Sequence, residues 1–191
     1  MINYPTKIEA NGHIYNINTN YRVALNCLKA INDNEINDME RAIAIITLLL
    51  GKNVDENDYP ICLEKCSKYL RCGRDDNINN DEIDMDYFED DSYIKTSIRQ
   101  CFQINLNEVE YLHWWEFNEL IEGLTEDTVL SRIREIRNLN EREIKNDKER
   151  QKIVEIKERF SLKKNKDIIL TKEQEESMNK LDEIIGFKNR R

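Results

Sequence analysis

Cys62, Cys66 and Cys72 form the first cluster whose residue type and spacing could do chemistry. On a helix, Cys62 and Cys66 sit one turn apart on one face, which suits a zinc ion if further ligands complete the tetrahedron. No fourth ligand stands nearby, because His13 and His113 are far away in sequence. Spacing therefore points to free thiols, buried or half-buried, and to no metal. Asp75, Asn77, Asn79 and Asp86 fall on the first, third, fifth and twelfth places of a calcium loop. Asn80 stands where the sharp turn wants Gly, and Asp86 where a bidentate Glu is usual. A chain rich in Asn and Asp produces such matches by chance. Around His113-Trp114-Trp115, a helix from Asn107 to Glu122 would put Val109, His113, Phe117, Leu120 and Ile121 on one stripe, with Trp114 at its edge. Tyr111 and Trp115 would lie on another side. Such a helix belongs at the centre of a fold, with His113 as a satisfied core histidine. A catalytic base would need a nucleophile within reach, and none is visible. There is no Gly-rich phosphate loop, metalloprotease helix or paired-cysteine zinc motif. No catalytic residue, cofactor or metal is assigned, and a non-enzymatic protein is expected.

The elements that carry these residues are legible from caps and periodicity. Lys7 to Ala10 and His13 to Ile17 flank Asn11-Gly12, the dipeptide that best tolerates a type I′ turn, so a β-hairpin opens the chain. Two strands alone are marginal, so the hairpin must lie on the helices that follow. Asn18 or Thr19 caps a helix from Tyr21 to Ile31. Asn37 or Asp38 caps a second, which runs to Leu50 and ends at Gly51. A third starts at Asp58 with Pro60 in its first turn and stops at Cys72 before Gly73. Helical spacing returns from Ser92 to Phe102, and Thr125 caps a helix containing Val129, Ile133 and Ile136. Thr171 and Gln174 form a capping box for a last helix with Met178, Leu181 and Ile185. The fold class is mostly α: a helical domain over residues 1–162 with a small N-terminal β-hairpin, then a helical C-terminal extension over 163–191.

Composition agrees with this. The chain has 191 residues, 5 Gly and 2 Pro, too few for a turn-rich β-sandwich. Its net charge of −9 disfavours nucleic-acid binding. The longest apolar run, Ala42 to Leu50, is half of a membrane span and reads as a core helix. Five cysteines with no secretory leader at the start suit reduced thiols and a cytosolic protein. Charge is unevenly spread. Residues 74–91 hold nine acidic side chains and one Arg, which reads as a solvated, mobile loop. Residues 132–166 hold thirteen basic and seven acidic side chains on a long, thinly apolar helix. This helix is either a solvated face laced with pairs such as Glu141 to Lys145, or a docking element for an acidic or helical partner. Polarised charge of this kind also allows self-association.

Pro5, Ile8, Asn11-Gly12, Tyr15, Ile17-Asn18-Thr19 and Arg22-Val23 resemble the opening of the bacteriophage gene-product-fifteen family. The segment Glu110-Tyr111-Leu112-His113-Trp114-Trp115-Glu116-Phe117 is similar to that family's most characteristic stretch, together with Leu120-Ile121, Gly123-Leu124, Thr128, Leu130, Ile133 and Arg137. The likeness runs from Tyr4 to Phe160. It implies a small protein of the tail module of long-tailed phages or prophages, encoded beside the tape-measure gene and working in the host bacterial cytoplasm. Proteins in that position are commonly tail assembly chaperones that coat the tape-measure protein. The resemblance thus implies a tape-measure or other tail protein as partner, and a structural virion component as the alternative role. An apolar docking surface is expected at Trp114 and Trp115 if either is exposed, and at Ile153, Ile156 and Phe160 otherwise.

Overall fold

The computed structural model describes residues 4–74 and 84–163. Among them are two strands and seven α-helices: β1 (Lys7–Ala10), β2 (His13–Asn16), α1 (Tyr21–Ile31), α2 (Asp38–Leu50), α3 (Tyr59–Leu70), α4 (Asp91–Phe102), α5 (Trp114–Glu122), α6 (Val129–Asn138) and α7 (Asp147–Phe160). Short 3₁₀ turns at Glu56–Asp58 and Glu141–Glu143 precede α3 and α7. The protein is mostly helical with an N-terminal hairpin, as its composition and caps require. The helical domain read over 1–162 is built from two compact units. One takes 4–74 and 98–124 of the described residues, the other 84–97 and 125–163.

In the first unit, Asn11 and Gly12 take φ of 49° and 84°, the two positive angles of a type I′ turn, and pair Ile8 with Tyr15 and Ala10 with His13. The inner face buries Ile8 and Ala10, and β1 packs against α3. Lys65 of α3 also donates its ammonium to the Glu9 carbonyl at the strand edge. The apolar run of α2 is a core helix as expected: Ile45, Ile46 and Leu49 are buried, and α2 packs against α1 and α3. Asn37 and Glu40 close a reciprocal capping box at its start, and Gly51 ends it at φ 87°.

The structure departs from the sequence reading at several boundaries. The cap of α1 is Asn20, neither Asn18 nor Thr19, because its side chain accepts from Arg22 N–H while Thr19 is buried. The α6 cap is Thr128, three residues after Thr125; Thr128 also donates its hydroxyl to the Thr125 carbonyl. The aromatic helix starts at Trp114, seven residues after Asn107. Leu112 and His113 are held extended instead, with His113 bridged to Asn20: Tyr21 N–H donates to the Leu112 carbonyl at 2.9 Å and Trp114 N–H to the Thr19 carbonyl at 2.8 Å.

In the second unit, Leu130, Ile133, Ile94 and Leu162 form the buried apolar set. Part of the acidic stretch is ordered into this unit, not left in solvent. Asp90 is 1 % exposed and clamps the Arg137 guanidinium with two bonds, Nη1 to Oδ2 at 2.7 Å and Nη2 to Oδ1 at 2.8 Å. Arg137 also donates to the Asp84 and Phe160 carbonyls, both at 2.7 Å, so one side chain ties α6 to the segment before α4 and to the end of α7. Asp86 caps the turn that follows by accepting from the Phe88 and Glu89 N–H groups. The basic segment is likewise two helices, α6 and α7, not one long helix. Asn146 restarts helix by accepting from Lys148 and Glu149 N–H. The expected final helix, Met178 included, lies outside the described residues, as do Asp75, Asn77 and Asn79.

Candidate functional site

The richest constellation of side chains is the start of α5. His113 is the helix cap: its Nδ1 accepts from Trp115 N–H at 3.0 Å, and its Nε2 lies 3.3 Å from the Pro5 carbonyl. Tyr4 stacks on the imidazole, with ring centroids 4.6 Å apart and planes at 18°. The Tyr4 hydroxyl donates to Glu119 at 2.6 Å, and that bond raises its pKa to about 12. His113 is buried, and burial holds its pKa below the ordinary histidine value. It is a satisfied histidine, with a task at the helix terminus that periodicity did not show.

Both tryptophans are tied to the end of α3. Trp114 Nε1–H donates to the Leu70 carbonyl and Trp115 Nε1–H to the Tyr69 carbonyl, each at 2.9 Å. These carbonyls belong to the last helical turn, beyond the reach of the regular helix ladder, and that of Tyr69 also accepts from Cys72 N–H at 3.0 Å. Trp114 is 1 % exposed, so its ring offers no surface to a partner; Trp115 is half-buried and stacks with Tyr69. The chain leaves α3 through Cys72 and Gly73, at φ 55° and 76°, directly under the Trp115 ring. Phe117 completes the aromatic layer, stacked on Tyr21 at 4.6 Å and on Trp114 at 5.8 Å.

A second constellation joins the hairpin to the start of α3. Asp58 is 1 % exposed and receives three side chains: Asn11 Nδ2 at 2.7 Å, His13 Nδ1 at 2.7 Å and Tyr15 hydroxyl at 2.6 Å. The bonds from Tyr15 and His13 pull the Asp58 carboxyl below its usual range, and the bond to Asp58 raises His13. The carboxylate is fully engaged by the hairpin, so Asp58 makes no side-chain cap to α3 although it stands at the N-cap position. Sequence reasoning missed this latch. The alternation that puts His13 and Tyr15 on one face was readable; the long-range partner was not.

Burial raises four of the five thiols, those of Cys27, Cys62, Cys66 and Cys72. Cys27, Cys62 and Cys66 are all 0 % exposed, and burial raises Cys27 and Cys66 to about 12 and half-buried Cys72 to about 11. Nucleophilic and metal-binding cysteines need the thiolate, which burial disfavours. No group of three or more His, Cys, Asp and Glu among the described residues is placed to hold a metal.

The other expected docking residues lie on α7, in the second unit, whereas the two tryptophans lie in the first. Ile156 is 39 % exposed; Ile153 and Phe160 are half-buried, and the helix has no buried residue. No helix of the described residues is long and apolar enough to cross a membrane.

These features define a small helix-rich protein in which His113, Asp58 and both indoles are hydrogen-bonded to groups of its own chain. A sequence model described as Bacteriophage Gp15 protein matches residues 2–162. The chain belongs to that family and is a bacteriophage protein. No curated protein and no solved structure matches it.

Proposed function

We propose that the protein is a non-enzymatic tail-morphogenesis factor, a tail assembly chaperone that binds the tape-measure protein in the host cytoplasm. The observation that carries this reading is the family match over 2–162, taken with the place in the tail module that the family resemblance implies. The chemistry of the side chains supports it. His113, Asp58 and the two indoles hold backbone or hairpin together, and burial favours the neutral Cys66 thiol over the thiolate. With Trp114 closed, the client surface falls on α7, along Ile153, Ile156 and Phe160. A single line of partly exposed apolar residues among charges suits a contact that must later be released, since little apolar area is committed.

Co-expression with the tape-measure protein tests this. The expected outcome is a larger soluble fraction of the tape-measure protein and its co-purification with this chain. An unchanged soluble fraction overturns the chaperone role. A stoichiometric signal in mass spectrometry of purified particles would instead support a structural subunit, such as a tail completion or connector protein.

A further inference from the structure

Three apolar side chains are exposed where α1 ends and α2 begins: Ile31 at 39 %, Met39 at 73 % and Ile43 at 44 %. Met39 and Ile43 are one turn apart on α2 and share a face. Ile31 is the last residue of α1, which packs against α2. Isolated exposed apolar residues are ordinary, but three at one helix-pair tip make a patch. Its rim is acidic. Asp33, Glu35, Asp38 and Glu40 are all exposed, and Arg41 is the one cation in the stretch 31–43. The Arg41 guanidinium is already taken by the Asp38 carboxylate at 2.6 Å and the Asp33 carbonyl at 2.7 Å.

The complement of this patch is an apolar side chain set between cations on a helix, and α7 presents one. Ile156 is exposed, with Lys152 one turn before it and Arg159 three residues after it on the same flank. Neither cation makes an ion pair among the described residues. We propose that the acidic-rimmed tip of α1 and α2 in one copy receives the basic flank of α7 from a second copy of this chain. The two surfaces differ, so the contact is heterologous: each copy keeps one of each surface free, and copies join head to tail. This does not depend on the chaperone reading, because it uses only the chain's own surfaces. Where both hold, client and second copy compete for α7.

Two variants of the full chain separate the outcomes in sedimentation velocity. The first carries Met39→Lys and Ile43→Lys and blocks the tip; the second carries Ile156→Glu and Arg159→Glu and blocks α7. All four positions are exposed, and unchanged far-UV circular dichroism verifies folding. The wild type is expected to associate with rising concentration, and its affinity to fall at least tenfold between ~0.05 M and ~0.5 M salt as the charged rims are screened. Each variant alone is expected to be monomeric. Mixed, they form a one-to-one dimer, since the first keeps an intact α7 and the second an intact tip. A monomeric wild type overturns the proposal. So does a second variant that still associates alone, which would mean tip-to-tip pairing, or a mixture that stays monomeric.

Discussion

Trp115 N–H and His113 Nδ1 are joined at 3.0 Å, and this bond fixes both the start of α5 and the protonation state of the imidazole. Only the tautomer with its proton on Nε2 fits, since Nδ1 must present a lone pair to Trp115 while Nε2–H faces the Pro5 carbonyl. A second proton would set two N–H groups against each other and place a charge in a buried site. His13 has the opposite preference, because its protonated ring is held by the Asp58 carboxylate.

Opposite slopes of stability with pH follow for the two histidines. His113 is depressed in the folded state, so its contribution is complete above the unfolded value of ~6.5 and is lost as pH falls from there towards the folded value. His13 is raised, so its contribution is complete below ~6.5 and is lost as pH rises through the folded value. In urea titrations between pH 8 and pH 5, His13→Gln should become less stable as pH falls, and His113→Asn more stable. Asn still accepts a hydrogen bond at the cap, and unchanged far-UV circular dichroism verifies that the second variant is folded. Parallel profiles for the two variants would refute the assignment.

Arg137 is expected to be the most sensitive position of the second unit. Arg137→Ala leaves the Asp90 carboxylate buried without its partner, and removes the donors to the Asp84 and Phe160 carbonyls. Loss of one member of a buried pair costs about 3–5 kcal/mol. Arg137→Lys keeps the charge but not the planar fork, and should fall between wild type and Ala. The far-UV circular dichroism midpoint in urea reads both. A shift no larger than that of an exposed control such as Arg150→Ala would show that the pair contributes nothing.

Elements defined by local chemistry were legible in the sequence. Asn11-Gly12 dictates its turn because those two residues accept positive φ, and Asn37 with Glu40 dictates the start of α2 because both bonds close within four residues. What stayed hidden depends on partners far along the chain. The span 107–113 reads as the start of the aromatic helix, yet Leu112 and Trp114 bond to Tyr21 and Thr19, more than ninety residues away, and the helix starts later. Asp90 looks like one more charge in an acidic run; its partner Arg137 is 47 residues on. The docking residues divide in the same way. Trp114 and Trp115 are amphipathic, and sequence could not show that the end of α3 takes both indole N–H groups.

The Tyr69 hydroxyl makes the opposite case to these satisfied groups. Tyr69 is 3 % exposed, and its hydroxyl has no hydrogen-bond partner among the described residues. A buried polar atom without a partner costs ~1–3 kcal/mol, so its removal should not destabilise. Tyr69→Phe is expected to leave the urea midpoint unchanged or to raise it. A loss of stability would instead place an ordered water on that oxygen.

Gly73 and Trp115 should be energetically coupled. A Cβ on residue 73 would lie 3.1 Å from the Trp115 ring carbon Cη2, and the backbone there has φ +76°. Gly73→Ala therefore combines two penalties: left-handed strain of ~1–2 kcal/mol, and a steric push on a ring fixed by its bond to the Tyr69 carbonyl. Trp115→Phe loses that bond, worth ~1 kcal/mol, but also removes the atoms that the new methyl would strike. The strain remains in the double variant and the clash does not, so the two costs should fail to add by more than the ~0.3–0.5 kcal/mol expected of independent sites. Urea unfolding of the four-member cycle, followed by circular dichroism, measures the difference. If the costs simply add, the ring does not rest on the turn at Gly73.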